Sequence, residues 1–155
     1  MSKDHYQEEI DEIDDGIFKH LVEDCPNLYT DRYEDYRKTC MCWGFTVEDG
    51  WYEIIKDLSF ELEELIVNWK KWHPWSKNWP RASQVKEKWG VLRFYMDGNY
   101  TKKMRRLIYD VENKSSRICE ECGNPGNRRD LVCVQTLCDD CFKNAQMRES
   151  IIMEN

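Results

Sequence analysis

The chain has 155 residues, of which 34% are charged and 13% aromatic, and a formal net charge of −7. This suits one folded domain with a small second unit, and the acidic balance disfavours bulk binding to nucleic acid. No run of 18 apolar residues occurs, and the acidic N-terminal stretch lacks the features of a signal peptide. The sequence therefore predicts a cytoplasmic protein with no membrane partner, in which the cysteines stay reduced.

The charges are segregated along the chain. Residues 1–66 hold 19 acidic and 6 basic groups, whereas residues 67–106 hold 2 acidic and 11 basic groups. The basic block also carries five of the seven tryptophans. A compact basic and aromatic site suits a small anionic ligand better than a long duplex. The alternative is that the basic block packs against the acidic half of the same chain.

Apolar residues recur every three or four positions between residues 3 and 23, which predicts an amphipathic helix with Ser2 as a possible N-cap. Gly16 weakens this helix. Its acidic side chains are expected to form a solvated face. They are Glu8, Glu9, Asp11, Glu12, Asp14 and Asp15.

The clearest helix follows Asp49, whose carboxylate is predicted to cap the first turn. Apolar side chains then recur at helical spacing from Trp51 to Trp72. Phe60 and Val67 lie on the opposite side of this helix, which predicts a second covered face.

A further helix is expected to begin near Thr101. Its inward positions are Met104, Leu107, Ile108 and Val111, and basic side chains lie largely on its outer side. Between the two helices, residues 69–81 read as a loop punctuated by tryptophan and proline.

Residues 84–96 predict a β-hairpin with a two-residue turn at Trp89-Gly90. Alternation places Val85, Leu92, Phe94 and Met96 on one face, and Gln84, Lys86, Lys88, Arg93 and Tyr95 on the other. In this register Lys86 faces Arg93, and like charges so placed are destabilising. An anion from the acidic remainder of the chain or from a ligand is expected to offset the repulsion. A four-residue loop is the alternative, with Arg93 opposite Gln84.

Four cysteines near the C-terminus have the spacing C-x2-C-x15-C-x2-C, which is typical of a zinc ribbon. The predicted ligands are Cys119, Cys122, Cys138 and Cys141. Four thiolates leave no open coordination position, so one structural Zn²⁺ is expected, and so small a unit should depend on it for folding. The other cysteines (Cys25, Cys40, Cys42 and Cys133) are expected to be small buried hydrophobes, with Cys133 as an alternative ligand.

These elements predict an α+β fold, with helices packed on a small antiparallel sheet and a C-terminal zinc ribbon. The expected units are residues 1–114, an α+β domain with an acidic N-terminal helix, and residues 115–155, the zinc-ribbon module. A sheet of two strands is marginal. A third strand is therefore expected from residues 40–47, from residues 131–137, or from the partner in a homodimer.

Two resemblances follow from these motifs. The segment S-S-R-I-C-E-E-C-G-N-P-G…V-Q-T-L-C-D-D-C-F-K, within residues 115–143, resembles the zinc finger of the DksA/TraR family, bacterial regulators that act on RNA polymerase. Over about residues 26–141 the chain resembles small proteins of tailed bacteriophages and prophages. That resemblance is carried by D-G-W at 49–51, by K-E-K-W-G-V-L-R-F-Y at 86–95, and by the paired cysteines. It implies phage origin and action in the bacterial cytoplasm.

The sequence indicates a binding protein and not an enzyme. It has no nucleophile elbow, phosphate loop or HExxH motif, and its three histidines are scattered. The first hypothesis is capture of a nucleotide-type or other phosphorylated signal, as a counter-defence sponge. Phosphate would contact Lys86, Lys88 and Arg93, and the base would stack on Tyr95 and on one or more of Trp51, Trp72 and Trp75.

Two other functions compete with this hypothesis. The second hypothesis is inhibition or regulation of a host protein through the acidic N-terminal region, and it predicts that neutralising residues 8–15 removes function. A nucleic-acid binder that uses the ribbon and the hairpin together is the third hypothesis, and it predicts affinity that falls steeply with salt.

Overall fold

The computed structural model describes residues 5–154, and its elements form an α+β fold as predicted. The helices are α1 His5–Asp11, α2 Lys19–Asp24, α3 Tyr52–Trp72, α4 Lys102–Ser115 and α5 Asp139–Met153. The strands are β1 Phe45–Thr46, β2 Arg81–Lys88, β3 Val91–Asp97, β4 Asn127–Arg129 and β5 Gln135–Leu137. Within the described residues, no helix is long and apolar enough to cross a membrane.

The hairpin of β2 and β3 has the predicted register, with Lys86 opposite Arg93 and Val85 opposite Phe94. Its turn residues Trp89 and Gly90 have φ angles of 56° and 77°. Two consecutive left-handed residues define a type I′ turn, whose twist matches that of the flanking strands. The tight turn is therefore confirmed, with a tryptophan in a conformation that side-chain-bearing residues rarely adopt.

The third strand comes from the chain itself. β1 lies beside β2 and runs parallel to it, with Phe45 opposite Val85. The expectation of a strand from residues 40–47 is thus confirmed, and the sheet is mixed where a purely antiparallel one was expected. Residues 135–137 form β5, which pairs with β4 in a separate two-stranded sheet.

The main core lies between the apolar face of the hairpin and the helices α3 and α4. Val85, Leu92 and Phe94 are buried there, as the alternation predicted. Helix α4 begins as expected, because the Thr101 side chain accepts a hydrogen bond from the Met104 N–H at 3.3 Å. The further helix residues in this core include Ile55, Leu58, Leu62, Ile66, Met104 and Ile108.

The start of α3 differs from the prediction. A 3-10 turn at residues 49–51 precedes Tyr52, and among the described residues no backbone N–H bonds to the Asp49 carboxylate. Asp49 is therefore not a side-chain N-cap. The predicted second covered face is also wrong, because Phe60 and Val67 are exposed on the outer side of the helix.

The predicted N-terminal helix is interrupted between α1 and α2; Ser2 and Lys3 lie outside the described residues. The Asp14 carboxylate accepts the Gly16 N–H at 2.9 Å, and Gly16 has a φ of 55°. Asp15 does not belong to a solvated face. It forms an ion pair with Arg32 at 2.8 Å, and the two side chains are only 3% and 0% exposed.

The cysteines outside the C-terminal set divide into two groups. Cys25 and Cys42 are buried, as expected for small hydrophobes. Burial raises the pKa of the Cys25 thiol to about 12, which keeps it protonated and unreactive. Cys40 and Cys133 are exposed, so the expectation is wrong for them.

Candidate functional site

The sulfur atoms of Cys119, Cys122, Cys138 and Cys141 all lie within 4.8 Å of one another. The Cys122 and Cys138 sulfurs are 3.6 Å apart. Tetrahedral zinc bonds of about 2.3 Å place sulfurs roughly 3.8 Å apart. The donor set therefore fits one tetrahedral ion held by four thiolates, the arrangement of a structural site.

Local backbone structure brings the two cysteine pairs together. In the first pair, the Gly123 N–H donates to the Cys119 carbonyl at 3.0 Å, and Gly123 has a φ of 79°. The second pair lies at the N-terminus of α5. There the Cys141 N–H bonds to the Cys138 sulfur at 3.4 Å, and this hydrogen bond lowers the pKa of the Cys138 thiol to about 7. The thiolate needed for metal binding is thereby favoured.

The C-terminal unit, which carries the four clustered cysteines, packs directly on the start of α3 and on the hairpin turn. The Gly50 N–H donates to the Glu120 carbonyl at 2.7 Å, and the Trp51 indole N–H donates to the Ile118 carbonyl at 2.9 Å. The Thr136 hydroxyl donates to the Gly90 carbonyl at 2.7 Å. Trp51 is fully buried and belongs to the main core. The prediction that Trp51 stacks on a ligand is therefore wrong; its ring joins the C-terminal unit to the main core.

Substitution of Gly50 by alanine is expected to destabilise the protein by about 1–3 kcal/mol, the usual cost of overpacking a close contact. A Cβ atom there would lie 2.2 Å from the Cys119 carbonyl oxygen and 2.4 Å from the Glu120 carbonyl oxygen. Urea unfolding measures the change. Asp49→Ala is the matched control, since Asp49 is exposed. Equal stability of Gly50→Ala and the wild type would show that this close contact does not exist.

The outward face of the hairpin carries the predicted phosphate-binding residues. Lys88 is exposed and Lys86 half-buried, and no ion pair within residues 5–154 involves either of them. Arg93 differs, because its Nη1 pairs with a Glu112 carboxylate oxygen at 3.1 Å. The other Glu112 oxygen accepts the Phe94 N–H at 2.9 Å. The anion that offsets the Lys86–Arg93 repulsion is thus supplied by α4.

A groove adjoins this face at the end of the sheet away from the hairpin turn. It has a volume of 510 Å³, and its walls are the loop of residues 36–40 and the strand positions Gln84, Tyr95 and Asp97. The Thr39 hydroxyl reaches the Ser83 carbonyl at 3.4 Å, which ties the loop to the irregularity in β2. Sequence reasoning missed this loop because it has no periodicity; its only signal is the run Tyr36-Arg37-Lys38.

The cations of the groove are partly held by acids of the same loop. Arg37 bonds to both carboxylate oxygens of Asp35, and these bonds lower the pKa of the Asp35 carboxyl to about 2. Lys38 pairs with Glu34 at 3.1 Å. The lysines of the hairpin face are therefore the more available cations.

The predicted stacking tryptophans do not line the groove beside the hairpin face. Trp72 and Trp75 are 78% and 93% exposed at the C-terminal end of α3 and just beyond it, and neither lines the groove. Trp51 and Trp72 are separated by about 31 Å of helix. Tyr95, which is 41% exposed, is the predicted aromatic residue that shares a face with Lys86, Lys88 and Arg93.

Comparison with protein-family models, curated proteins and solved structures finds no match for this chain. The structural class of the protein is therefore defined by its own fold and its cysteine cluster. It is an α+β protein with a small mixed sheet and a C-terminal unit whose four clustered cysteines can hold a metal ion.

Proposed function

We propose that this chain is a phage-encoded, non-enzymatic protein that captures a nucleotide-type or other phosphorylated small molecule in the bacterial cytoplasm, as a counter-defence sponge. The observation that carries the proposal is the outward face of the hairpin. There Lys86 and Lys88 have no acidic partner within the described residues. Tyr95 lies on the same face and also lines the groove. Phosphate oxygens would accept charge-assisted hydrogen bonds from the lysines.

The size and lining of the groove support a small ligand. Its 510 Å³ lies within the range of about 300–1,000 Å³ that is usual for small-molecule sites. Stacking of a base on an aromatic ring contributes roughly 1–3 kcal/mol. The site thus offers a charged end for phosphate and an aromatic wall for a base.

In this proposal the ion of the four cysteines is one Zn²⁺ with a structural role. Four thiolates fill a tetrahedral shell and leave no position for substrate. The ion holds the C-terminal unit together, and that unit in turn fixes the start of α3 and the hairpin turn through Trp51 and Gly90.

Nucleotide binding is expected to raise the melting temperature of the metal-loaded protein. A ligand at a hundredfold excess over its Kd stabilises the folded state by about 2.7 kcal/mol, which corresponds to roughly 5–10 °C for a chain of this size. The measurement is thermal unfolding against cyclic and linear nucleotides, with single-stranded and duplex oligonucleotides alongside. The double variant Lys86→Glu/Lys88→Glu should abolish the shift.

The matched control for that variant is Lys102→Glu/Lys103→Glu, which reverses two exposed charges at the start of α4. It should keep the nucleotide shift. If no nucleotide stabilises the wild type, or if the control loses the shift equally, the proposed face is not the ligand site.

A second candidate function is binding of a host protein. The observation that favours it is the outer side of α3, where exposed carboxylates surround the exposed Phe60 and Val67. Contiguous apolar patches rimmed by polar side chains mark interaction surfaces, and these two side chains lie two turns apart on the same side of the helix. Capture of a host protein that is lost in Phe60→Asp, with no nucleotide shift in the wild type, would favour this alternative.

A further inference from the structure

The outward side of β3 carries three different functional groups in order. Arg93, Tyr95 and Asp97 alternate along one face of the strand, so a cation, an aromatic ring and a carboxylate follow each other at intervals of roughly 7 Å. Lys86 stands opposite Arg93, and Gln84 stands opposite Tyr95. A nucleotide has its groups in the same order, since a charged phosphate precedes a planar base whose far edge carries hydrogen-bonding groups.

The carboxylate at the end of this row is available. Asp97 is exposed, and within residues 5–154 it has neither an ion pair nor a side-chain hydrogen bond. Arg81, its neighbour across the hairpin, bonds to other groups. The Arg81 Nε donates to Asp31 at 3.0 Å, and its Nη1 donates to the Trp79 carbonyl at 3.2 Å.

The groove places this carboxylate beside the residues that would hold a base. Asp97, Gln84 and Tyr95 line it together, and Tyr36 belongs to the opposite wall. Gln84 adds an amide that both donates and accepts hydrogen bonds. A planar ring lying on Tyr95 would therefore meet polar groups at its edge, with the lysines at the other end of the face.

We propose that this groove is the base subsite of the ligand and that Asp97 makes it selective for guanine; this inference rests on the proposed capture of a nucleotide. An ionised carboxylate only accepts hydrogen bonds. Guanine presents two adjacent donors, N1–H and the N2 amino group, on the edge that is exposed when the base is unpaired. Adenine presents an acceptor at N1 toward the same position, so the carboxylate would face a lone pair. A site built to pair with donors rejects the ligand that lacks them.

The test compares the binding of guanosine and adenosine 5′-monophosphates by titration calorimetry on the metal-loaded full chain. These probes share the phosphate and the sugar, so their difference reports the base subsite alone. The guanine nucleotide should bind at least about tenfold more tightly, the scale of one bidentate contact. Asp97→Asn should remove this preference, because it should weaken the binding of the guanine nucleotide and leave the affinity for the adenine nucleotide unchanged.

Asp57→Asn is the control, because it neutralises an exposed carboxylate on α3. It should keep the preference. If the two nucleotides bind equally and Asp97→Asn changes neither, the guanine assignment is wrong while nucleotide capture stands. If neither binds at millimolar concentration although the protein is folded, both the guanine assignment and the proposed function are wrong.

Discussion

Replacement of Cys119 by serine is expected to abolish stoichiometric metal binding and to unfold the C-terminal unit. Cys119 is fully buried, and its sulfur belongs to the cluster of four. The apparent free energy of binding of structural zinc to small peptides is about 10–16 kcal/mol, and such units do not fold without their metal. Native mass spectrometry should show one ion per wild-type chain and none in the variant.

The loss of folded structure should extend beyond the C-terminal unit. Trp51 is buried beneath that unit and donates to its Ile118 carbonyl, so its indole should become exposed and its fluorescence should shift to the red. Cys133→Ser is the control, since Cys133 is exposed and lies outside the cluster. Retention of the ion in Cys119→Ser, or its loss in Cys133→Ser, would show that the ligand set is wrong.

Replacement of Asp15 by alanine is expected to lower the free energy of unfolding by about 3–5 kcal/mol, the cost of leaving a buried charge without its partner. Arg32 is fully buried, and its Nε bonds to both Asp15 oxygens at 2.8 and 3.0 Å. Its remaining nitrogens bond to the carbonyls of Cys42 at 2.8 Å and Ile13 at 3.4 Å. The ion pair thus connects the segment between α1 and α2 to the 3-10 turn at Met41–Trp43, which precedes β1.

Urea unfolding of Asp15→Ala beside Glu12→Ala measures this effect. Glu12 is an exposed acid of the same segment, and its removal should change stability by no more than about 0.5 kcal/mol. The double variant Asp15→Ala/Arg32→Met should recover part of the loss, because it removes the uncompensated charge. A change below about 1 kcal/mol in Asp15→Ala would mean that the pair is hydrated and not buried.

The hairpin and the cysteine cluster could be predicted from the sequence because their signals are local. Alternation over residues 84–96 fixes which side chains share a face, but the two-residue turn and the four-residue loop both keep Val85, Leu92 and Phe94 together. The structure decides between these two registers. The spacing of the two cysteine pairs fixes the ligand set in a similar way, since two short pairs can converge on one ion.

The contacts that the sequence did not reveal join residues far apart in the chain. Asp49-Gly50-Trp51 looks locally like a capped helix start, but the Trp51 indole bonds to Ile118, 67 residues later. Asp15 looks like one acid of a solvated helix until Arg32 is placed beside it. The groove was missed for the same reason, because the loop of residues 36–40 meets the hairpin only in the folded chain.

The measurement that most directly tests the central claim is chemical-shift mapping of the metal-loaded protein, by ¹H–¹⁵N spectra during titration with guanosine 5′-monophosphate. The proposed site predicts that the largest shifts fall on residues 36–40 and 84–97, the groove and the hairpin face. The indole N–H signals of the exposed Trp72 and Trp75 should keep their chemical shifts. Shifts confined to those indoles or to the outer side of α3 would contradict ligand capture on the hairpin face. An absence of shifts with both guanosine and adenosine 5′-monophosphate would contradict it as well.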